Sequence, residues 1–283
     1  MGTVLQVTVV AADTDTARRL ADACWRVAER WDDVLTTWRA DGELATLNRR
    51  AGLGPTTVSS QLALALRQML FFSTATGGAF NPAVGPWVDL WRTPAPTLRP
   101  GAVPRLADVV GIDDSVVALA AGTVLDAGAI GKAVPIGAMI DLLRAGGATA
   151  AFIDFGGSGL TAFQSPPENP AGWVVAVSGL RQGEMHGTMQ LRDASLSTSR
   201  ASGPGSAAGP IIDPGTGRPV AGPRVAVVLA ADPVAANAWS TALVVLGRQG
   251  LEKAEEAGIE ALVEDAGGRA ATVGFERKLE KGT

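Results

Sequence analysis

The chain has 283 residues, of which 47% are apolar and 18% are charged, a composition that excludes a disordered or fibrous protein. Its 24 basic and 28 acidic residues give a formal net charge of −4, and no Lys/Arg cluster offsets it, which argues against a nucleic-acid surface. One cysteine, Cys24, and one histidine, His186, exclude an intrachain disulfide and any site that needs two of either residue.

The sequence pattern predicts neither a membrane-spanning segment nor an export signal. No apolar run approaches the roughly 20 residues that span a bilayer. The first residues carry neither the basic flank nor the apolar stretch of a secretory signal. We therefore expect a cytoplasmic protein without a membrane span.

The N-terminal half alternates predicted strands and helices. Its helices begin after residues that cap well, such as Asp13, and the third is ended by Gly77-Gly78. In chain order we predict a strand at 4–10, a helix from Asp13 through Trp31, a short helix ending near Asn48, an amphipathic helix at 59–76, a proline-rich loop at 94–104 and a hairpin at 116–124 that turns at Ala121-Gly122.

The C-terminal half shows the same mixture. We predict a helix at 131–145 with Pro135 in its first turn, strands at Ala150–Phe155, Trp173–Ser178 and 188–191, a flexible loop at 199–209, a buried strand at Arg224–Ala230 and a helix at Pro233–Leu246. His186 is predicted on a surface loop, and Cys24 as a small buried hydrophobe. No boundary divides the chain, so residues 1–283 are treated as one domain.

Four glycine-bearing loops are the candidate functional segments. They are GGAFNPAVGPW (77–87), LDAGAIGK (125–132), DFGGSG (154–159) and IIDPGTG (211–217). In the second, glycine-flanked amides and Lys132 at a helix start are typical of a phosphate site, with Asp126 placed to meet a ring nitrogen or a metal. The alternative is an ordinary tight turn with an exposed lysine.

Two further features are open to more than one interpretation. Asn237 and Thr241 lie at i and i+4 on one helix face, where their oxygens could hold Mg²⁺ or could simply be surface polar groups. Trp38 precedes a polar turn and is a candidate for stacking on a planar ligand. The remaining tryptophans of this half, Trp25, Trp31, Trp87 and Trp91, are assigned to the core.

The order of these motifs along the chain resembles the FAD:protein FMN transferase family, also called ApbE. The resemblance extends from Met1 to about Gly247. It rests on MGT (1–3), TW (37–38), DGELATLNR (41–49), the four glycine loops, STS (197–199) and NAWSTALVVLG (237–247) in that order.

The resemblance implies a mixed α+β fold of two intimate lobes with FAD in the cleft between them. It also implies an enzyme, a transferase that moves the FMN half of FAD onto a threonine of a target flavoprotein, releases AMP and uses Mg²⁺. By position, it assigns FAD binding to Met1, Trp38, Ala79, Phe80, Asn81, Asp126, Lys132 and Ile211. It assigns the metal to the Ala129 carbonyl, Asn237 and Thr241.

The chain departs from the family pattern at five positions. The family usually carries aspartate where this chain has Asn81, Gly137, Ser158 and Asn237, and histidine where it has Pro210. Because an amide removes a full charge from a hard-cation site, these changes predict weaker Mg²⁺ binding. The alternative function is therefore a family member that has lost transfer and keeps FAD as a flavoenzyme cofactor or as a non-catalytic scaffold.

Overall fold

The computed structural model describes residues 3–92, 101–181, 183–201 and 211–280. Its strands are β1 (Leu5–Val10), β2 (Thr56–Thr57), β3 (Val110–Asp113), β4 (Val116–Leu119), β5 (Ala150–Phe155), β6 (Gly159–Phe163), β7 (Trp173–Ser178), β8 (Met185–Leu191), β9 (Ala194–Ala201), β10 (Ile212–Asp213), β11 (Arg218–Pro219), β12 (Arg224–Ala230), β13 (Glu260–Asp265) and β14 (Gly268–Ala271).

The α-helices are α1 (Thr14–Leu35), α2 (Glu43–Arg49), α3 (Ser60–Ala75), α4 (Gly85–Arg92), α5 (Leu106–Val109), α6 (Val134–Ala145), α7 (Pro233–Leu246), α8 (Gly250–Glu256) and α9 (Val273–Lys278). Side-chain caps fix three of their starts, because Asp13, Ser59 and Asp232 each accept a hydrogen bond from an amide of the first turn. Within the described ranges, no helix is long and apolar enough to cross a membrane.

A seven-stranded antiparallel sheet in the order β1-β5-β6-β9-β12-β13-β14 forms the centre. Alternate residues of β12 enter two buried clusters, with Ala226 and Val228 in the larger and Val225 and Val227 in the smaller. Helices α1, α6 and α7 supply the larger cluster, and the β7–β8 hairpin supplies the smaller. Both faces of β12 are therefore covered, which explains its nearly continuous apolar sequence.

Most sequence-predicted elements are confirmed. The bounds of β5, β7, β12 and α7 match the predicted ranges, and Pro135 lies in the first turn of α6 as expected. Cys24 is completely buried, and burial raises the pKa of its thiol to about 11. The predicted proline-rich loop lies mostly outside the described residues.

Three predictions of local structure are wrong. The hairpin partner of β4 is β3, which precedes it, so Ala121-Gly122 follows the hairpin instead of turning it. The predicted loop at 199–209 begins as strand, because β9 continues to Ala201 by pairing with β12; residues 202–210 lie outside the described residues. Trp25 was assigned to the core but is 48% exposed on α1.

Candidate functional site

A cavity of about 330 Å³ opens where α7 and β9 meet the four glycine loops. We call it the inner cavity. Its volume lies within the range of small-molecule pockets. Its lining comprises Ala79, Phe80, Asn81, Pro82, Val84, Val88, Asp126, Gly128, Ala129, Lys132, Ser158, Thr198, Ser199, Arg200, Ile211, Ile212, Asn237 and Thr241.

A second cavity, of about 220 Å³, adjoins the first and is called the outer cavity. The two share Asp126, Gly128 and Lys132. The outer cavity is also lined by Trp38, whose side chain is 79% exposed. The shared residues therefore form the border between the inner cavity and the exposed indole of Trp38.

The structure brings together every sequence-predicted site residue that it describes. The inner cavity contains nine of them, and Trp38 lines the outer cavity beside two of the nine, Asp126 and Lys132. Met1 and Pro210 lie outside the described residues. The nine are Ala79, Phe80, Asn81, Asp126, Ala129, Lys132, Ile211, Asn237 and Thr241.

Several backbone amides of the turn at 125–132 donate hydrogen bonds within the turn itself. The Asp126 carboxylate accepts the amide of Gly128 at 2.5 Å, and the amides of Ile130 and Gly131 donate to the Ala127 carbonyl. Helix α6 begins only at Val134, whose amide also donates within the turn. These amides are therefore already bonded within the turn, and the positive charge of the turn comes from the Lys132 side chain.

Lys132 points to the third glycine loop. Its Nζ donates to Ser158 Oγ at 2.6 Å, and both side chains are partly buried. Loss of solvent lowers the pKa of the Lys132 amine below its usual value, and the nearby charge of Asp154 acts in the opposite direction. The alternative of an exposed turn lysine does not describe this residue.

Asn81 and Phe80 form structural parts of the cavity wall. The Asn81 side chain accepts the amide of Ala83 at 3.0 Å and donates to the Pro104 carbonyl at 2.9 Å. Phe80 is only 2% exposed. A carboxylate at position 81 would have no proton to donate to Pro104, which gives a local reason for asparagine here.

A chain of hydroxyls lines the wall between α7 and β9. Ser240, fully buried, donates to the Asn237 carbonyl at 3.0 Å, so the neighbouring hydroxyls of Ser197 and Ser199 must donate to it. The Ser199 hydroxyl proton is therefore used in the bond to Ser240. In the 3.4 Å contact between Ser199 and Thr241, Thr241 must then be the donor. The oxygens of this wall consequently remain as acceptors.

The predicted metal donors of the inner cavity, one on the turn at 125–132 and two on α7, are neutral. They are a carbonyl at Ala129, the Asn237 amide, whose nitrogen already donates to Pro233 at 3.1 Å, and the Thr241 hydroxyl. The described ranges contain no group of three or more His, Cys, Asp or Glu residues that could hold a metal ion. Mg²⁺ usually requires one or two carboxylates, so these donors alone do not fit a protein-held Mg²⁺.

Sequence reasoning missed the part of this wall that β9 contributes. Thr198, Ser199 and Arg200 line the inner cavity, and Arg200 Nη1 donates to the Gly179 carbonyl at 2.8 Å. These three residues are consecutive and polar, so the local sequence shows no apolar alternation, and the strand is seen only from its pairing with β12.

His186 was predicted on a surface loop, and this is wrong. It lies on β8, and its Nε2 is 2.8 Å from Glu264 Oε2 with both side chains mostly buried. The carboxylate partner on β13 explains how a polar ring is accommodated there. His186 lines neither the inner nor the outer cavity.

Comparison with known proteins gives consistent results. A family model described as the ApbE family matches residues 1–263. The FAD:protein FMN transferase of Salmonella typhimurium is 27% identical over 281 residues, covering 90% of this chain and 78% of that protein. That of Treponema pallidum is 37% identical over 141 residues, covering 44% of this chain and 39% of that protein.

Solved structures have the same fold. The flavin transferase ApbE from Vibrio cholerae superposes with a TM-score of 0.82 at 23% identity, over 99% of this chain and 96% of that one. The apbe protein from Thermotoga maritima gives a TM-score of 0.85 at 20% identity, over 99% and 97%. The predicted mixed α+β fold is confirmed.

Proposed function

The chain belongs to the ApbE family, and we propose that it transfers the FMN half of FAD to a threonine of a target flavoprotein, with release of AMP. One observation carries the proposal: residues from four separate segments, chosen from the sequence for FAD, line two adjoining cavities with Lys132 at their border. The curated relatives named above are FAD:protein FMN transferases, which supports the same reaction.

We assign different parts of FAD to a charged side chain and to an aromatic side chain. We assign the pyrophosphate to Lys132, because its amine is the cation at the border of the two cavities. The exposed indole of Trp38 is assigned to stacking on a planar ring of FAD. Asp126, with its side chain fixed by Gly128, is placed to accept a hydrogen bond from the same ligand.

The reaction is an in-line displacement at phosphorus. The acceptor hydroxyl attacks the FMN phosphorus and its proton passes to a water molecule, while the bond to the bridging oxygen breaks and AMP leaves with that oxygen. Lys132 stabilises the negative charge that moves onto the phosphate oxygens. Exclusion of water from this phosphorus by the bound FAD and the acceptor would favour transfer to the acceptor hydroxyl over hydrolysis.

Mg²⁺ would supply further neutralisation of the pyrophosphate, but the three neutral donors at Ala129, Asn237 and Thr241 do not form a site for it by themselves. We propose that FAD binding by this chain depends only weakly on Mg²⁺. Chelation by EDTA should change the FAD dissociation constant by less than about threefold, because the lysine charge remains.

The test is transfer to a peptide. The purified chain is incubated with FAD, Mg²⁺ and a set of peptides that each contain one threonine, and the products are weighed by mass spectrometry. At least one peptide should gain one FMN, with AMP released in equal amount. Its threonine-to-valine counterpart is the control. FAD that binds but is never transferred to any peptide, with any divalent metal, would overturn the proposal in favour of the flavin-holding alternative.

A further inference from the structure

Ser158 is held rigidly at the wall of the inner cavity. It follows Gly156 and Gly157, which have φ angles of 78° and 67° and reverse the chain between β5 and β6. The Gly157 amide donates to Asp154 at 2.7 Å, and the Ser158 carbonyl accepts the Thr198 amide at 2.8 Å. Glycine adopts such positive φ angles without strain, so the turn sets the position of the Ser158 backbone, and the hydrogen bond from Lys132 orients its hydroxyl.

The hydroxyl is paired with the cation that we assign to the pyrophosphate. Lys132 Nζ and Ser158 Oγ are 2.6 Å apart, and both residues line the same cavity. A phosphate bound to the Lys132 amine would therefore lie beside Ser158 Oγ. Holding a nucleophile next to the reacting phosphorus replaces a bimolecular encounter with a positioned one.

The other hydroxyls of the cavity lack this arrangement. Ser199 donates to Ser240 at 2.7 Å, and Thr241 contacts Ser199 at 3.4 Å. Among the hydroxyls that line the described part of the cavity, Ser158 is the one for which the structure shows a hydrogen bond to an amine. Lys132 can stabilise negative charge as it develops on this oxygen.

We propose that Ser158 is itself an acceptor of FMN, so that the chain attaches a flavin covalently to its own serine. This inference rests on the proposed function, because FAD must bind in the groove and be cleaved at its pyrophosphate. The substrate is FAD, and the product is an FMN phosphoester of Ser158.

The reaction balances without any further reactant. The bond between Ser158 Oγ and the FMN phosphorus forms while the bond from that phosphorus to the bridging oxygen breaks. AMP leaves with the bridging oxygen, the serine proton passes to a water molecule, and no atom changes its oxidation state. Phosphoryl transfer of this kind requires positioning and charge stabilisation more than a strong base, and Lys132 provides both.

The experiment follows the intact mass of the whole chain. The chain is incubated with FAD with and without Mg²⁺, denatured in acid to remove bound flavin, weighed, and digested to locate any adduct. The wild type should gain one FMN on the peptide that contains Ser158 and should give a fluorescent band on a denaturing gel. Ser158→Ala should lose the adduct completely, and Ser158→Thr should retain a hydroxyl acceptor and part of the signal.

Ser115, in the β3–β4 turn, supplies a remote control, because Ser115→Ala removes a serine hydroxyl outside both cavities. An unmodified wild-type chain, or an adduct on another residue, overturns the inference even when peptide transfer succeeds. Absence of both peptide transfer and FAD cleavage overturns the proposed function and this inference together. The two failures are thus distinguishable in one set of samples.

Discussion

The two walls of the inner cavity differ in the polar groups that they present. The wall formed by the turn at 125–132 presents Lys132, whose amine is partly desolvated. The opposite wall, formed by α7 and β9, presents the neutral oxygens of Asn237, Ser199 and Thr241 together with Arg200, whose guanidinium already donates to the Gly179 carbonyl. We therefore expect Lys132 to be the main cation for an anionic ligand such as a pyrophosphate, while the oxygens of the other wall suit a cation or a donor on the ligand.

Removing the Lys132 charge from the wall formed by the turn at 125–132 should have the largest effect on FAD binding. Lys132→Ala should weaken FAD binding by about 10- to 100-fold, because a charge-assisted contact contributes roughly 1.5–3 kcal/mol and 1.4 kcal/mol is tenfold. Fluorescence titration of FAD measures the dissociation constant. Lys278→Ala, at an exposed ion pair with Glu260, is the control and should leave it unchanged. If the wild type and Lys132→Ala bind FAD with equal affinity, the Lys132 amine does not contact the FAD phosphates.

The same wall predicts a pH dependence. Burial lowers the Lys132 pKa from the usual 10.5, so the amine loses its charge, and the affinity for FAD falls, as the pH rises through this lowered pKa. The decline should begin at a lower pH than an exposed lysine would allow. Lys132→Ala should bind weakly without this decline when titrated over the same range. A wild-type affinity that stays constant up to the ordinary lysine pKa would contradict the proposed contact.

Adding a carboxylate to the wall formed by α7 and β9 should have a smaller effect, which is a gain in Mg²⁺ affinity. Asn237→Asp places a carboxylate beside the Thr241 hydroxyl and should raise Mg²⁺ affinity by about tenfold, roughly 1.4 kcal/mol. Calorimetry without FAD measures this directly. Asn169→Asp adds the same charge outside the cavity and should give no gain. If Mg²⁺ binds the wild type and Asn237→Asp equally, this wall is not the metal position.

The elements around the cavity also differ in how well the sequence predicts them. Strand β12 and helix α7 match their predicted bounds because the continuous apolar run of β12 and the Asp232 cap of α7 are local signals. The β9 wall was missed in part because its polar residues resemble a loop, and only pairing with β12, more than 20 residues later, makes them a strand. Long-range pairing of this kind leaves little trace in the local sequence.

The candidate site residues share one cavity for a reason that no local rule supplies. Ala79, Asp126 and Ile211 are far apart in the chain, and only the order of the family motifs predicts that they lie together. The pairing of Lys132 with Ser158 had no such signal, because it joins a turn before α6 to a turn after β5. His186 shows the same limit, since its partner Glu264 lies 78 residues further along the chain.

The smallest expected effect concerns the outer cavity, beyond both walls. Trp38→Ala should weaken FAD binding by about threefold to tenfold, because stacking of an exposed ring contributes roughly 0.5–1.5 kcal/mol. Trp25→Ala is a matched control, since Trp25 is also exposed but lies on α1 outside both cavities. Trp38→Phe should recover most of the affinity because a flat aromatic face remains. If Trp38→Ala and Trp25→Ala bind FAD equally well, the ligand does not reach the outer cavity, and the border at Lys132 is the end of the binding site instead of its middle.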